Sequence, residues 1–255
     1  MVFLCVFLPA VFCLHLLLPG MRAKNFLLVV ASLVFYAYGE PIYVILLVAS
    51  SAGNYILARL TGECPKIRKF TMTLAVVVNL GLLVIFKYSG FLVETFNSVT
   101  GAGIPVPQVR MPIGISFFTF QALSYVIDVY RGDASVQKNF GKVLLYISFF
   151  PQLIAGPIVK YHDVEAEINN RKQTPEEIGK GIRRFIAGLS KKVLIANTMG
   201  LVADNLFGAA ASGITGPGAW LGAVSYMLQI YFDFSGYSDM ALGLGTKPTQ
   251  TTRSA

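Results

Sequence analysis

Residues 231–245, YFDFSGYSDMALGLG, set Asp233, Ser235, Tyr237, Ser238 and Asp239 inside an otherwise apolar run. Asp233 and Tyr237 are four residues apart, as are Ser235 and Asp239, so two neighbouring helix faces carry polar groups with Gly236 between them. Further upstream, Gln121, Ser124, Tyr125 and Asp128 follow the i, i+3, i+4, i+7 spacing and share one face of an apolar helix expected at 112–130. Carboxylates, amides and hydroxyls in this pattern can line an aqueous path, or hydrogen-bond one helix to another. Both readings stay open on spacing alone. Asp128 also has Arg131 near it as a charge partner on the same helix.

The surroundings make these groups conspicuous. The chain has 255 residues, 55% of them hydrophobic and only 13% charged, about half the charge of an ordinary soluble domain. Mean hydropathy is +0.62, and several stretches approach the ~20 apolar residues that a membrane-crossing helix requires. An acidic side chain at the bilayer centre costs roughly 2.5–3.5 kcal/mol, so the carboxylates must face protein or water. The expected fold class is all-α: a polytopic transmembrane helix bundle, with a broken or re-entrant segment and an amphipathic helix at the interface.

The net charge of +8 does not call for a nucleic-acid partner, because the basic residues gather in alternate loops. Arg22 and Lys24 follow the first apolar run. Arg59, Lys66, Arg68 and Lys69 follow the third, and Arg131, Lys138 and Lys142 follow the fifth. Eight more lie between Lys160 and Lys192. That is the positive-inside pattern, and membrane lipid is the partner it implies.

The same map gives a topology. Residues 2–19 lack a basic start and read as a retained first helix rather than a leader. Residues 26–38, 42–59 and 70–88 cross in turn. An outer loop rich in Gly and Pro is expected at 90–110, and the next helix opens at Met111-Pro112 and runs inward to Arg131. Residues 143–158 carry Pro151, Gly156 and Pro157 between basic flanks, which favours a broken segment over a clean crossing. Residues 174–196 open on a capping box, Thr174 with Glu177. Ile178, Ile182, Phe185, Leu189 and Val193 lie on one stripe, as in a helix along the inner interface. The chain then crosses through 193–210 and returns through Trp220. A single membrane domain is expected over 1–245, followed by an unrelated polar tail at 246–255.

Other chemistry is sparse. No Walker loop, metal-ligand spacing or dinucleotide fingerprint is present, so neither a metal nor a bound cofactor is expected. Cys5, Cys13 and Cys64 read as packing residues. His15 lies in the first apolar run and His162 in a basic loop, neither beside a serine or cysteine that it could activate. The small residues at 51–54 and 209–213 suit close helix approach.

Three blocks then resemble one family. MPIGISFFTFQALSYVIDVYRG (111–132), FFPQLIAGPIV (149–159) and YFDFSGYSDMALGLG (231–245) are similar, in that order, to the membrane-bound O-acyltransferases. Within the family the similarity is to the bacterial alginate O-acetyltransferase branch. The resemblance implies a multi-pass protein of the bacterial inner membrane that moves acetyl groups from a cytoplasmic donor, acetyl-CoA, toward an extracytoplasmic polysaccharide. It also implies extracytoplasmic partner proteins that complete the modification. Gln121, Ser124, Tyr125, Asp128, Gln152, Asp233, Ser235, Tyr237, Ser238 and Asp239 would then line the acyl-transfer cavity. Arg183, Arg184, Lys191 and Lys192 are candidates for the donor's phosphates, against the plainer role of meeting anionic lipid. The family's catalytic histidine lies downstream of the SDMALGLG stretch. No residue of this chain is therefore assigned as catalytic, and the chain is expected to be shortened and inactive alone. A polar-lined transporter or channel, or a membrane assembly partner without chemistry, are the alternatives.

Overall fold

A bilayer offers no partner to exposed backbone N–H and C=O groups, so apolar runs of this length close their own hydrogen bonds as helices. The computed structural model describes residues 2–153, 159–169, 171, 174–208 and 213–245, and no strand occurs among them. Gly156 and Pro157 of the expected broken segment, residues 209–212 and the tail 246–255 lie outside the described residues. The helices are α1 (Leu8–Leu17), α2 (Met21–Gly39), α3 (Tyr43–Glu63), α4 (Arg68–Leu83), α5 (Ser89–Thr100), α6 (Ile115–Arg131), α7 (Phe140–Ser148), α8 (Phe150–Leu153), α9 (Tyr161–Asn169), α10 (Pro175–Ser190), α11 (Asn197–Gly208) and α12 (Gly216–Gly245). Met21–Gly39, Tyr43–Glu63, Pro65–Thr100 and Pro175–Gly208 are long and apolar enough to cross a membrane. The protein is an all-α polytopic membrane bundle. By packing it divides into two compact units, one formed by residues up to Arg171 and the other by those after it.

In the first unit α6 is the hub. Ten of its residues are buried, from Ile115 to Val129, and Phe118, Ala122, Tyr125 and Val126 are fully so. It packs against α3 and α4, where Ala58 and Ala75 are fully buried and allow close approach. Polar pairs tie α3 to α4. Asn54 and Asn79 donate to each other at 3.1 and 2.7 Å, and the Thr61 and Thr71 hydroxyls meet at 2.8 Å. Such bonds contribute about 0.6 kcal/mol each, up to roughly 2, in a membrane. Of the small residues at 51–54, Ser51 and Asn54 point inward, whereas Gly53 faces open space.

Two boundaries differ from the sequence reading. The loop expected at 90–110 is helical as far as Thr100, because a π-turn at Val84–Tyr88 carries α4 directly into α5. The next helix opens at Ile115 rather than at Pro112. Gly114, at φ 76°, makes the left-handed turn before it, and the Pro112 carbonyl accepts from Ile115 N. The break between α7 and α8 falls at Phe149, as Pro151 has no N–H to offer the Ile147 carbonyl. Phe150 holds the break in place. Its ring packs within 5.4–6.0 Å of Phe3, Phe7 and Phe35, and its N–H donates to Ser32 Oγ at 3.2 Å.

In the second unit, α10 starts on the expected capping box, with Thr174 Oγ1 accepting from Glu177 N and the Glu177 carboxylate accepting from Thr174 N. No turn separates it from the crossing that follows. A π-segment at Lys191–Ala196 joins it to α11, and Pro175–Gly208 runs as one 34-residue helical stretch. At about 1.5 Å per residue it is far longer than the ~30 Å apolar slab. The α10–α12 crossing rests on glycines seven apart on both helices. A Cβ on Gly188 would fall 2.5 Å from Gly236 O, and one on Gly243 would fall 2.7 Å from Gly181 O.

Gly188→Val is therefore expected to destabilise the second unit by roughly 1–3 kcal/mol through overpacking against backbone. Gly53→Val, whose side chain meets nothing within 4 Å, is expected to melt like the unaltered chain. Thermal unfolding in detergent, followed by helical circular dichroism, compares the two, and equal melting would refute the tight crossing.

Candidate functional site

The sequence-predicted polar residues form two groups, one in each unit. In the first, α6 turns Gln121, Tyr125 and Asp128 fully inward and Ser124 partly so. Gln121 Nε2 donates to Tyr146 O at 2.7 Å. Ser124 Oγ donates to Gln121 O at 2.9 Å and lies 3.2 Å from the Tyr146 hydroxyl, which itself donates to Val159 O at 2.8 Å. The Tyr125 hydroxyl accepts from Gln137 N at 3.0 Å, and Gln137 Nε2 reaches the Tyr161 hydroxyl at 3.0 Å. The Tyr161 ring stands 4.6 Å from that of Tyr125 and 5.2 Å from that of Tyr146. Burial raises the Tyr161 hydroxyl's pKa above the usual phenol value, keeping it neutral as a hydrogen-bonding group.

Asp128 behaves differently from its neighbours on α6. Its backbone carbonyl accepts from the N–H groups of Gly132, Asp133 and Ala134, which ends the helix on the left-handed Gly132. Its carboxylate is 6% exposed, and Oδ2 has no hydrogen-bond partner among the described residues. Arg131 is exposed, and the basic side chain beside the carboxylate is His162 at the start of α9, with Nδ1 3.8 Å from Oδ2. His162 Nε2 lies 3.1 Å from Asp163 Oδ1, and the imidazole is 37% exposed. One ring thus touches solvent and stands between a buried carboxylate and an exposed one. At 3.8 Å the imidazole and the buried carboxylate are neighbours without a hydrogen bond between them.

His162, Tyr161, Tyr146 and Gln137 are the members the sequence reading did not assign. The sequence places His162 only in a basic loop. The missed signal is the run Tyr161-His162-Asp163 opening a helix, two of whose residues turn toward α6. His15 is buried with Nε2 unpartnered among the described residues. Gln152 is half-buried in α8. Among the described residues neither histidine is hydrogen-bonded to a serine or cysteine, and no three His, Cys, Asp or Glu side chains converge as a metal site would require.

The second group is an ion-pair seam along α10 and α12. Asp239 receives Lys191 Nζ at 2.6 Å and Arg184 Nε at 3.1 Å, and Lys191 also donates to Ser235 Oγ at 3.1 Å. Lys192 Nζ pairs with Asp233 at 2.6 Å. Three of the four donor-phosphate candidates are thereby engaged with carboxylates, while Arg183 is exposed with no ion pair among the described residues. Ser238 Oγ is buried without a partner among the described residues, beside this seam on α12. Tyr237 takes part in an interaction of its own. The seam runs beside the Gly188·Gly236 crossing, so it serves as a tight polar helix contact.

Comparison with known proteins adds the chemistry that geometry leaves open. The profile of the membrane-bound O-acyltransferase family matches residues 133–253. A probable alginate O-acetylase of Pseudomonas aeruginosa is 41% identical over 251 residues, covering 96% of this chain and 48% of the relative. A peptidoglycan O-acetyltransferase of Helicobacter pylori is 35% identical over 277 residues, covering 95% and 52%. A teichoic acid D-alanyltransferase of Bacillus subtilis is 26% identical over 138 residues, covering 52% and 34%. The chain spans about half the length of the first two of these curated relatives.

The Lys191–Asp239 contact is only partly exposed on both sides, at 35% and 21%. A double-mutant cycle with Lys191→Gln and Asp239→Asn, read by unfolding in detergent, is expected to return a coupling of about 1 kcal/mol. Additive effects would show that this ion pair contributes nothing to the helix contact.

Proposed function

We propose that this chain, similar to the membrane-bound O-acyltransferase family over residues 133–253, is a member of it and supplies a membrane part of an O-acetyltransferase acting on an extracytoplasmic polysaccharide. The observation that carries the reading is the 41% identity to probable alginate O-acetylases along 96% of the chain. The proposed acyl donor is acetyl-CoA on the cytoplasmic side. The proposed location is the bacterial inner membrane, with extracytoplasmic polysaccharide-modifying proteins as partners.

Transfer of an acetyl group from a thioester to a hydroxyl breaks the C–S bond and forms a C–O bond. The acceptor hydroxyl loses a proton and the departing thiolate gains one. Asp128 and His162 are the titratable pair that supports proton delivery in this reading, because the carboxylate is buried and the imidazole reaches solvent. Gln121, Ser124 and Tyr125 have their hydrogen bonds answered by Tyr146 and Gln137 and act as the scaffold that fixes Asp128. Gln152 remains a proposed substrate-path residue of the first unit, and Asp233, Ser235, Tyr237, Ser238 and Asp239 remain proposed ones of the second. Arg183 is the one donor-phosphate candidate outside the ion pairs.

The test replaces the aligned region of a full-length alginate O-acetylase with residues 1–245 of this chain, in cells whose own enzyme is deleted. The expected result is acetylated alginate, detected by NMR of the secreted polymer. Asp128→Asn in the same chimera should lower acetylation by about tenfold or more at equal protein in the membrane fraction. A membrane-inserted chimera that yields only unacetylated polymer, where the intact relative restores acetylation, would overturn the reading.

A further inference from the structure

Three cations of the first unit meet at one turn without a carboxylate between them among the described residues. Lys66, Arg68 and Lys69, with Pro65 and Tyr130, line a cavity of about 380 Å³ at the turn between α3 and α4. Other cations stand singly or are paired with carboxylates, as Arg59 is with Glu63, Arg110 with Glu40, Lys180 with Glu176, and the Arg184, Lys191 and Lys192 set with Asp239 and Asp233. Among the described residues, no carboxylate lies within ion-pair distance of Lys66, Arg68 or Lys69.

Arg68 is fixed in place. Its guanidinium donates to Tyr130 O and stacks 5.0 Å from the centre of the Tyr130 ring, and its Nε is buried with no partner among the described residues. A guanidinium held this way has lost its rotamer freedom before any ligand arrives, and it fixes a positive charge in the cavity wall. Lys66 and Lys69 are exposed and add two mobile point charges on either side. Helix α4 begins at this point with no side-chain cap and no acid in its first turn, so its positive end is not neutralised locally. The cavity falls within the size range of small-ligand sites.

We propose that the cavity at the α3–α4 turn is a phosphate-binding site. The ligand is a phosphate group presented either by an anionic phospholipid headgroup or by a soluble phosphate compound. The inference stands apart from the acyl-transfer reading, since it uses only the unmatched cations, the fixed Arg68 and the cavity between them. It also separates this cluster from the basic residues of α10 and the π-segment after it, whose charges are largely consumed by Asp233 and Asp239.

The experiment uses the full chain with two probes. Radiolabelled pyrophosphate is measured by equilibrium dialysis in detergent. Lipid retention is counted by native mass spectrometry after reconstitution in nanodiscs of phosphatidylcholine with or without phosphatidylglycerol. Lys66→Gln/Lys69→Gln removes the two exposed charges and leaves the structural Arg68 in place. Arg22→Gln/Lys138→Gln removes two exposed basic-loop charges outside the cavity and serves as the charge-matched control. The expected result is saturable binding of at least one probe, weakened about tenfold or more in the first variant and less than about twofold in the second. Selective loss of phosphatidylglycerol identifies a headgroup site, and loss of pyrophosphate identifies a soluble ligand. No saturable binding by the unaltered chain, equal weakening in both variants, or a smaller loss in the cavity variant would overturn the proposal, leaving only the orienting charge of a basic loop.

Discussion

A polar group carried into an apolar bundle must be met by another element, and most of the first unit follows from how α6 meets that demand. Gln121, Ser124 and Tyr125 would each be costly against lipid, yet each finds a partner on α7 or in the 137–139 segment. Those partners dictate where α7 and α9 lie. Tyr146 is drawn in from one side and Tyr161 from another, and the Tyr161 ring packs against those of both Tyr125 and Tyr146. Asp128 is the group whose carboxylate this scheme leaves incompletely answered, which is why attention falls on it and on the imidazole beside it.

The second unit solves a different problem by different means. There the carboxylates sit on a helix that approaches its neighbour too closely for side chains at the crossing point, with Gly188 against Gly236 and Gly181 against Gly243. Close backbones bring the flanking Lys191, Lys192 and Arg184 within reach of Asp239 and Asp233. The resulting seam is electrostatically closed. It contrasts with the open cationic turn at Lys66–Lys69, although both would be scored alike by counting basic residues.

Much of the fold was legible because period and composition speak directly to membrane helices. The buried face of α6 and the capping box at Thr174 both follow from spacing within one segment. What spacing could not supply was pairing between segments. His162 belongs with Asp128, thirty-four positions away, and nothing in its own neighbourhood said so. Arg131 looked like the closer partner but turns outward as α6 ends. The glycine crossing was half visible: Gly236 stands out between two polar faces, whereas its counterpart Gly188 only acquires meaning once the two helices are side by side. The extension of α5 to Thr100 was hidden because a π-turn leaves no fixed residue signature.

The π-segment at Lys191–Ala196 has a consequence for how this protein can vary. Its i→i+5 bonds hold one residue more per turn than an α-helix would. Removing a single residue there converts the widened turn to an ordinary one while the helix on each side keeps its own bonding. The same deletion inside α10 would rotate Gly181 and Gly188 by about 100° relative to each other's neighbours and take one of them off the crossing. Length changes along this rod are therefore absorbed at the junction after Ser190, and the glycine-bearing half inherits a fixed residue count.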